Sequence, residues 1–467
     1  AAYANNTAID YYQRLLPLLT PAERGEVELD LGEIYRLIGR WADSEAAYHE
    51  AHNLAGANQQ TRLQARVEFA FGALLRARGT YAEATQWLER AQARFTDLGD
   101  AVGASNALRE IGIIHWVQGD YEAALSRFEQ CKTISSAAGD RRGFFRAVGN
   151  IGLIYRSLRN FEKALENYTT ALEIAGETGD LLGESMILGN MGNIYLEQGD
   201  FSKALRHYIE NLQLALSLGY RQGASIAVGN MGMVYHYQGD PVGLLQCSTY
   251  NLRITLDLGD LAGIAFSLHL MALANMEMGH FDAAEPLLER AIQLTRELEI
   301  PFDLATFLLT KMAFQVALNQ YAEALVTVRE ALEIGREIHH EVVVLEGQVA
   351  EIRLRYLLGK LSMAEAVVTF QELLSQLLDG HEDDLKMAHV AYEIWRVDPH
   401  QDEFRQKAAR LYREMYAFKP EHEFERRYHE LTGEDLPAPD PLPPLPEIVT
   451  RASLRLETLL AQFDRRS

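Results

Sequence analysis

Cysteine is scarce: the 467-residue chain has two, Cys131 and Cys247. Two thiols so far apart, with no second pair near either, exclude a cysteine-built metal site or disulfide framework. They suit a reducing compartment, so a cytoplasmic location is expected. No apolar run reaches the ~20 residues of a membrane helix, and no basic-then-apolar leader opens the chain. Basic charge is in deficit, 44 Lys and Arg against 66 Asp and Glu, for a net charge of −22. That balance argues against nucleic acid and anionic membrane as partners, since both reward a basic surface. Period-two alternation of half-buried strands is missing throughout. Phosphate loop, zinc-ligand spacing and nucleophile elbow are all missing too. The expectation is a non-catalytic protein without a cofactor or metal. The opening Ala1-Ala2-Tyr3 has no methionine, which fits a piece of a longer polypeptide with a covalently linked upstream domain.

What the chain has is a period. A turn signal followed by an aromatic recurs every 40 residues, as Gly39-Arg40-Trp41, Gly79-Thr80-Tyr81, Gly119-Asp120-Tyr121, Arg159-Asn160-Phe161, Gly199-Asp200-Phe201 and onward to Asn319-Gln320-Tyr321. A small residue follows three places later (Ser44, Ala84, Ala124, Ala164, Ala204), and a glycine precedes each turn by seven (Gly32, Gly72, Gly112, Gly152, Gly192, Gly232). A second turn lies midway, as at Gly99-Asp100 and Gly179-Asp180. Two turns per period leave two segments of about 16 residues, each about 25 Å long if helical. Apolar spacing inside them is helical, as in Ile187, Met191, Ile194 and Tyr195. Glycine or alanine where two helices cross lets their backbones approach. Gly-Asp closes one helix with a left-handed residue and caps the next. Each pair leaves apolar surface that only the next pair can cover, which predicts one elongated core.

Gly192, Tyr195, Gly199, Phe201, Ala204 and Tyr208 follow the order of the tetratricopeptide-repeat consensus, and the chain resembles that family from about residue 10 to about 420. The resemblance implies an all-α fold, a right-handed α-solenoid of about ten helix-turn-helix repeats. The long period is similar to that of kinesin light chains, Pins-type adaptors and the sensor arms of bacterial signalling ATPases. Residues 1–428 are read as the superhelix, most regular over 100–260 and degenerate after 300, where Met312 and Ile352 replace the glycine. Residues 429–449 are read as a Pro-rich extended linker, and 450–467 as a short amphipathic helix that packs in cis or on a partner.

The family usually binds on its concave face, lined by the first helix of each pair. Stepping by 40 gives one inward series, Asp30, Ala70, Glu110, Asn150, Asn190, Asn230, Leu270 and Thr310. Asparagine both donates and accepts, so a ladder of three can pair with an extended backbone; bonding between neighbouring helices is the bland alternative. A second series is Glu26, Arg66, Asn106, Arg146, Met186, Ile226, Phe266 and Thr306. Arg36, Arg76, Arg109 and Arg156 lie nearby. Guanidinium forks suit carboxylates, so a protein or peptide partner with an acidic segment is expected. Pairing of these arginines with interior glutamates such as Glu110 and Glu184 is the competing account. The candidate binding residues are Asn106, Arg109, Arg146, Asn150, Arg156, Asn190, Asn193, Asn230, His236 and Tyr237. Two other functions stay open: a small-molecule sensor arm of a multidomain signalling ATPase or regulator using His236, Tyr237, Phe266 and His269, and a structural spacer or self-associating rod. His339-His340-Glu341 and His381-Glu382-Asp383-Asp384 are read as solvated turns rather than metal ligands.

Overall fold

A computed structural model describes residues 2–378 and 383–451, with side chains from Thr7 onward and excepting Leu378. The expected helix at 450–467 and the pair His381-Glu382 lie outside the described residues, apart from Thr450 and Arg451.

Every described regular element is a helix. After α1 (Ala2–Leu15) come ten pairs: α2 (Pro21–Leu37) with α3 (Trp41–Ala57), α4 (Thr61–Ala77) with α5 (Tyr81–Asp97), α6 (Ala101–Val117) with α7 (Tyr121–Ala137), α8 (Arg141–Ser157) with α9 (Phe161–Thr178), α10 (Leu181–Glu197) with α11 (Phe201–Ser217), α12 (Arg221–Tyr237) with α13 (Pro241–Leu258), α14 (Leu261–Glu277) with α15 (Phe281–Glu297), α16 (Pro301–Ala317) with α17 (Tyr321–Glu337), α18 (Glu341–Leu357) with α19 (Met363–Leu378), and α20 (Asp384–Val397) with α21 (Asp402–Phe418). α22 (His422–Thr432) and the single turn α23 (Glu447–Thr450) close the described chain. None of these helices is long and apolar enough to cross a membrane.

The 40-residue register holds from α2 to α18, so the helices after residue 300 keep the frame although their signature residues drift. It slips at α19, which starts at Met363 after the capping pair Ser362 and Glu365. The α10–α11 joint shows the local chemistry. Asp200 accepts from the Lys203 backbone N–H at 3.0 Å, and its own N–H reaches back to the Tyr195 carbonyl at 2.9 Å. That closes α10 and caps α11 in one turn.

Packing explains the recurrent helical glycine. A Cβ on Gly32, Gly112, Gly152 or Gly192 would lie 2.3, 2.6, 2.7 or 2.5 Å from the ring of Tyr48, Phe128, Tyr168 or Tyr208. The chain forms two compact units, residues 1–187 and 188–467. Within each, consecutive first helices touch one another (α2 to α4 to α6 to α8, and α12 through α20), while the second helices make no comparable contact. The first helices therefore form the tighter, inner layer of each unit.

In the second unit the chain returns on itself. Phe418 and Lys419 lie against the α10–α11 turn, where a Cβ on Gly199 would meet the Phe418 carbonyl oxygen at 2.6 Å and Lys419 Cα at 2.7 Å. The Lys419 ammonium sits 4.0 Å from the centre of the Tyr237 ring, and His422 packs on Gly239. Gly199 also has φ of +77°, so any side chain there is strained twice. Gly199→Ala is expected to cost the α10–α11 turn about 1–2 kcal/mol through its left-handed φ and, by its clash with Phe418 and Lys419, to loosen the closure as well, read as faster amide exchange at Lys419–Phe424 than at the turn itself.

The helical part extends past the expected boundary at 428, because Phe424, Tyr428 and Leu431 bury one face of α22 and Gly433 ends it in a left-handed cap. Residues 433–446 then run extended along the second unit. The Tyr416 hydroxyl donates to the Pro437 carbonyl at 2.7 Å and the Tyr235 hydroxyl to that of Pro443 at 3.3 Å. Leu442, Leu445 and Val449 join the apolar cluster of α11–α14.

Candidate functional site

Inner-layer positions divide into seam and open face. Ala70, Glu110 and Leu270 are buried, and Asn150, Asn190 and Asn230 half-buried, so their series runs along the seams between first helices. Four residues earlier in each helix lies the open stripe: Glu26, Arg66, Met186 and Ile226 are exposed, and Asn106 and Arg146 half-buried. Side chains one repeat apart on this stripe can meet, as Arg66 Nη1 does with Glu26 Oε2 at 2.6 Å.

In the first unit the seam carboxylate Glu110 is 5% exposed and takes Arg76 at 2.6 Å and Arg109 at 2.5 Å. Those two arginines thus serve an interior glutamate, and Arg36 likewise pairs with Glu33 at 2.7 Å. Arg146 differs. It has no carboxylate within ion-pair distance among the described residues. Burial, followed by the fields of Arg109 and Arg142, holds its pKa below the usual arginine value. Arg142 carries no sequence motif, but it stands four residues before Arg146, one turn away on the same face of α8. Near this trio Asn150 keeps a buried Nδ2 without an acceptor, and Arg156 is half-buried further along α8.

In the second unit Asn193 is already engaged, accepting from the Tyr208 hydroxyl at 2.7 Å and from Asn230 Nδ2 at 3.3 Å. Asn190 is half-buried beside it in sequence. His236 bonds Glu277 at 2.9 Å. Burial opposes charge on its imidazole, but Glu277, then Glu423 and Glu421, raise its pKa on balance. Tyr237 lies under Lys419. The chain's own segment 419–423 thus occupies the surface that His236 and Tyr237 were expected to offer a ligand. Sequence could not reveal this, because the two surfaces lie some 180 residues apart and share no motif.

Beyond that segment the inner layer of the second unit encloses a hollow of about 770 Å³ between α14, α16, α18, α20 and α22. His269, expected in a pocket with Phe266, is instead 5% exposed, stacks on Phe307 with ring centres 4.1 Å apart, and bonds Thr310 at 2.9 Å. At the other places considered for metal, His340 Nδ1 caps α18 by accepting from the Val343 N–H, and Asp383 caps α20. No described cluster of His, Cys, Asp or Glu is arranged to hold a metal ion.

Comparison with known proteins follows the same frame. The tetratricopeptide-repeat family matches residues 61–137, 144–217, 183–242 and 267–299, and the family of anaphase-promoting complex subunit 5 matches 299–347. No curated protein matches in sequence. Among solved structures, the apo form of the quorum sensor NprR from B. thuringiensis is 15% identical with a TM-score of 0.53, over 75% of this chain and 97% of that one. A signal-transduction ATPase with numerous domains and a tetratricopeptide-repeat sensor, from Pyrococcus horikoshii, is 15% identical with a TM-score of 0.54, over 76% of this chain and 54% of that one. At such identity the likeness is one of fold.

Proposed function

From the premise that residues 61–137, 144–242 and 267–299 of this chain are tetratricopeptide repeats, we propose that it is a protein- or peptide-binding regulatory scaffold. Its first unit takes an extended acidic segment on the inner layer. The observation that carries this reading is Arg146, a half-buried guanidinium beside Arg109 and Arg142 with no carboxylate partner. Arg146 and Arg142, beside an Arg109 already paired with Glu110, gain from a ligand that brings its own carboxylates. Asn106, half-buried on the same stripe, can bond the ligand's backbone. Two proteins sharing the fold are described as a quorum sensor and as carrying a repeat sensor, which supports a regulatory role.

The test is fluorescence anisotropy with a labelled peptide bearing four consecutive glutamates, set against its glutamine counterpart. Arg146→Glu should weaken the acidic peptide about tenfold or more, Arg146→Lys much less, and added salt should weaken it in the wild type. Far-UV circular dichroism should be unchanged, since Arg146 makes no ion pair to lose. Equal binding of both peptides, or indifference to Arg146→Glu, overturns the reading.

A further inference from the structure

The extended strap that follows Gly433 carries a recognition pattern of its own, in the second unit and apart from the arginines of the first. Proline stands at 437, 439, 441, 443, 444 and 446. Each ring holds φ at about −65° and removes a backbone donor, so the stretch is preset for polyproline II, with about three residues per turn. Pro446 shows that geometry, with φ of −58° and ψ of 140°. Burial follows the same period. Leu436, Pro439, Leu442 and Leu445 are half-buried, while Pro437, Ala438, Asp440, Pro441 and Pro444 between them are exposed. One edge of the strap therefore lies on the helices and the rest faces water.

The helices read that edge with side chains rather than backbone. Leu442 and Leu445, one turn apart, join the apolar cluster of α11–α14, and the Tyr235 hydroxyl donates to the Pro443 carbonyl between them at 3.3 Å. Upstream, the Tyr416 hydroxyl holds the Pro437 carbonyl in the same way. Among the described residues no backbone hydrogen bond joins 436–445 to a helix. Apolar side chains at i and i+3, with a hydroxyl on a carbonyl between them, are the means by which a groove recognises a polyproline II ligand. The fit is incomplete. Between the strap and Tyr235, Gln238, Val242 and Gln246 lies a space of about 530 Å³, and Val242 there keeps 55% of its surface exposed.

We propose that the α12–α13 edge of the second unit is a binding site for a partner's extended Leu-Pro-Pro-Leu segment, and that the strap is its tethered occupant. Displacement exchanges like for like. The strap's leucines leave the apolar cluster as the partner's enter it, and a preset polyproline II chain loses little conformational freedom in either state. The tether gives the strap an effective concentration on the order of millimolar, which sets the threshold a partner must exceed. A partner with a side chain longer than proline between its leucines gains by filling the space beside Gln238 and Gln246.

The experiment uses the full chain and a fluorescein-labelled peptide of residues 436–450. Leu442→Ser with Leu445→Ser in the chain releases the strap and leaves its seat intact. The peptide should bind this released chain, and should bind the wild-type chain about tenfold more weakly or worse, because the tethered strap competes. A peptide carrying the same two serines should not bind. Tyr235→Phe in the released chain should weaken the peptide by about three- to tenfold. The wild-type chain gives a check free of the serine changes. Peptide above the effective concentration of the tether should speed amide exchange at Val449 and Thr450, whose N–H groups donate to the Pro446 carbonyl, while α12 and α13 stay protected. No binding to the released chain, equal binding of the serine peptide, or wild-type exchange that the peptide leaves unchanged each overturns the proposal. Concentration-dependent dimerisation of the wild type that the two serines abolish would give the seat to a second copy, and the partner assignment falls. Added salt and Arg146→Glu should leave the peptide's binding unchanged, so this site and the acidic-segment reading fail separately.

Discussion

Gly192→Ala should destabilise the second unit by about 2–3 kcal/mol, while the equivalent change one repeat later, Gly232→Ala, should be neutral or stabilising. Both glycines lie inside a first helix, where alanine is intrinsically better by about 1 kcal/mol. What differs is the neighbour 16 residues on. A Cβ at Gly192 would sit 2.5 Å from Cε1 of Tyr208, a ring with no exposed surface whose hydroxyl is tied to Asn193 at 2.7 Å. That ring cannot move aside without breaking its bond and opening the α10–α11 crossing. At Gly232 the corresponding residue is Ser248, and the closest atom to a new Cβ is Cys247 Cβ at 3.4 Å, an ordinary contact. Chemical unfolding of the two variants, with hydrogen exchange to locate the effect, would check the pair. Equal shifts would show that helix propensity, and not the crossing, sets these positions. Because Asn193 takes both Tyr208 and Asn230, Gly192→Ala should also loosen the polar link between α10 and α12.

That contrast marks how far the sequence could be read. The periodic glycine, the turn residues and the helix lengths are local or nearest-neighbour features. Repetition multiplies them, so a fold of helix pairs and its 40-residue frame are legible residue by residue. The division of the inner layer into seam and open stripe is only partly legible. Periodicity shows that Glu110 and Asn150 share a position, but not that Glu110 would be filled by Arg76 and Arg109 while Asn150 keeps an idle Nδ2. Long side chains choose among several carboxylates within reach, and that choice depends on packing the period does not encode. Least legible is the return of residues 418–449 onto α10–α13. It depends on how the six helix pairs from α10 to α21 stack within the second unit, and its contacts (Lys419 on Tyr237, His422 on Gly239, the Pro443 carbonyl to Tyr235) carry no pattern.

Acid should weaken the second unit, and His269 should account for a measurable part of it. Thr310 donates its hydroxyl toward the Thr306 carbonyl at 3.4 Å, so its oxygen is available to accept from His269 Nε2–H at 2.9 Å. That leaves Nδ1 as a bare lone pair, buried and without a partner. Protonating it would place a charged N–H in an apolar setting against Phe307 with no acceptor. Burial accordingly pushes the imidazole down to about 3, with His236 adding a smaller effect of the same sign. The unfolded chain titrates near 6.5 and binds the proton more readily than the folded one. Stability from the neutral ring is therefore complete above about pH 6.5 and is lost progressively as pH falls toward the folded value. Between pH 6.5 and 4.5 the loss is about 2 kcal/mol from this residue, its slope rising toward about 1.4 kcal/mol per pH unit below pH 5.5. His389, which burial also pushes to about 3, adds in the same direction. His236 opposes both: its raised pKa makes its bond to Glu277 strongest in acid and weaker as pH rises through the folded value. The sum is thus mixed, and the informative measurement is a difference. Urea unfolding at several pH values should give a shallower acid slope for His269→Gln than for wild type, by about 1.4 kcal/mol per unit around pH 5. Glutamine can still donate to Thr310 and has no proton to gain. Parallel slopes would mean that His269 titrates normally, and that the ring reaches water the static packing does not admit.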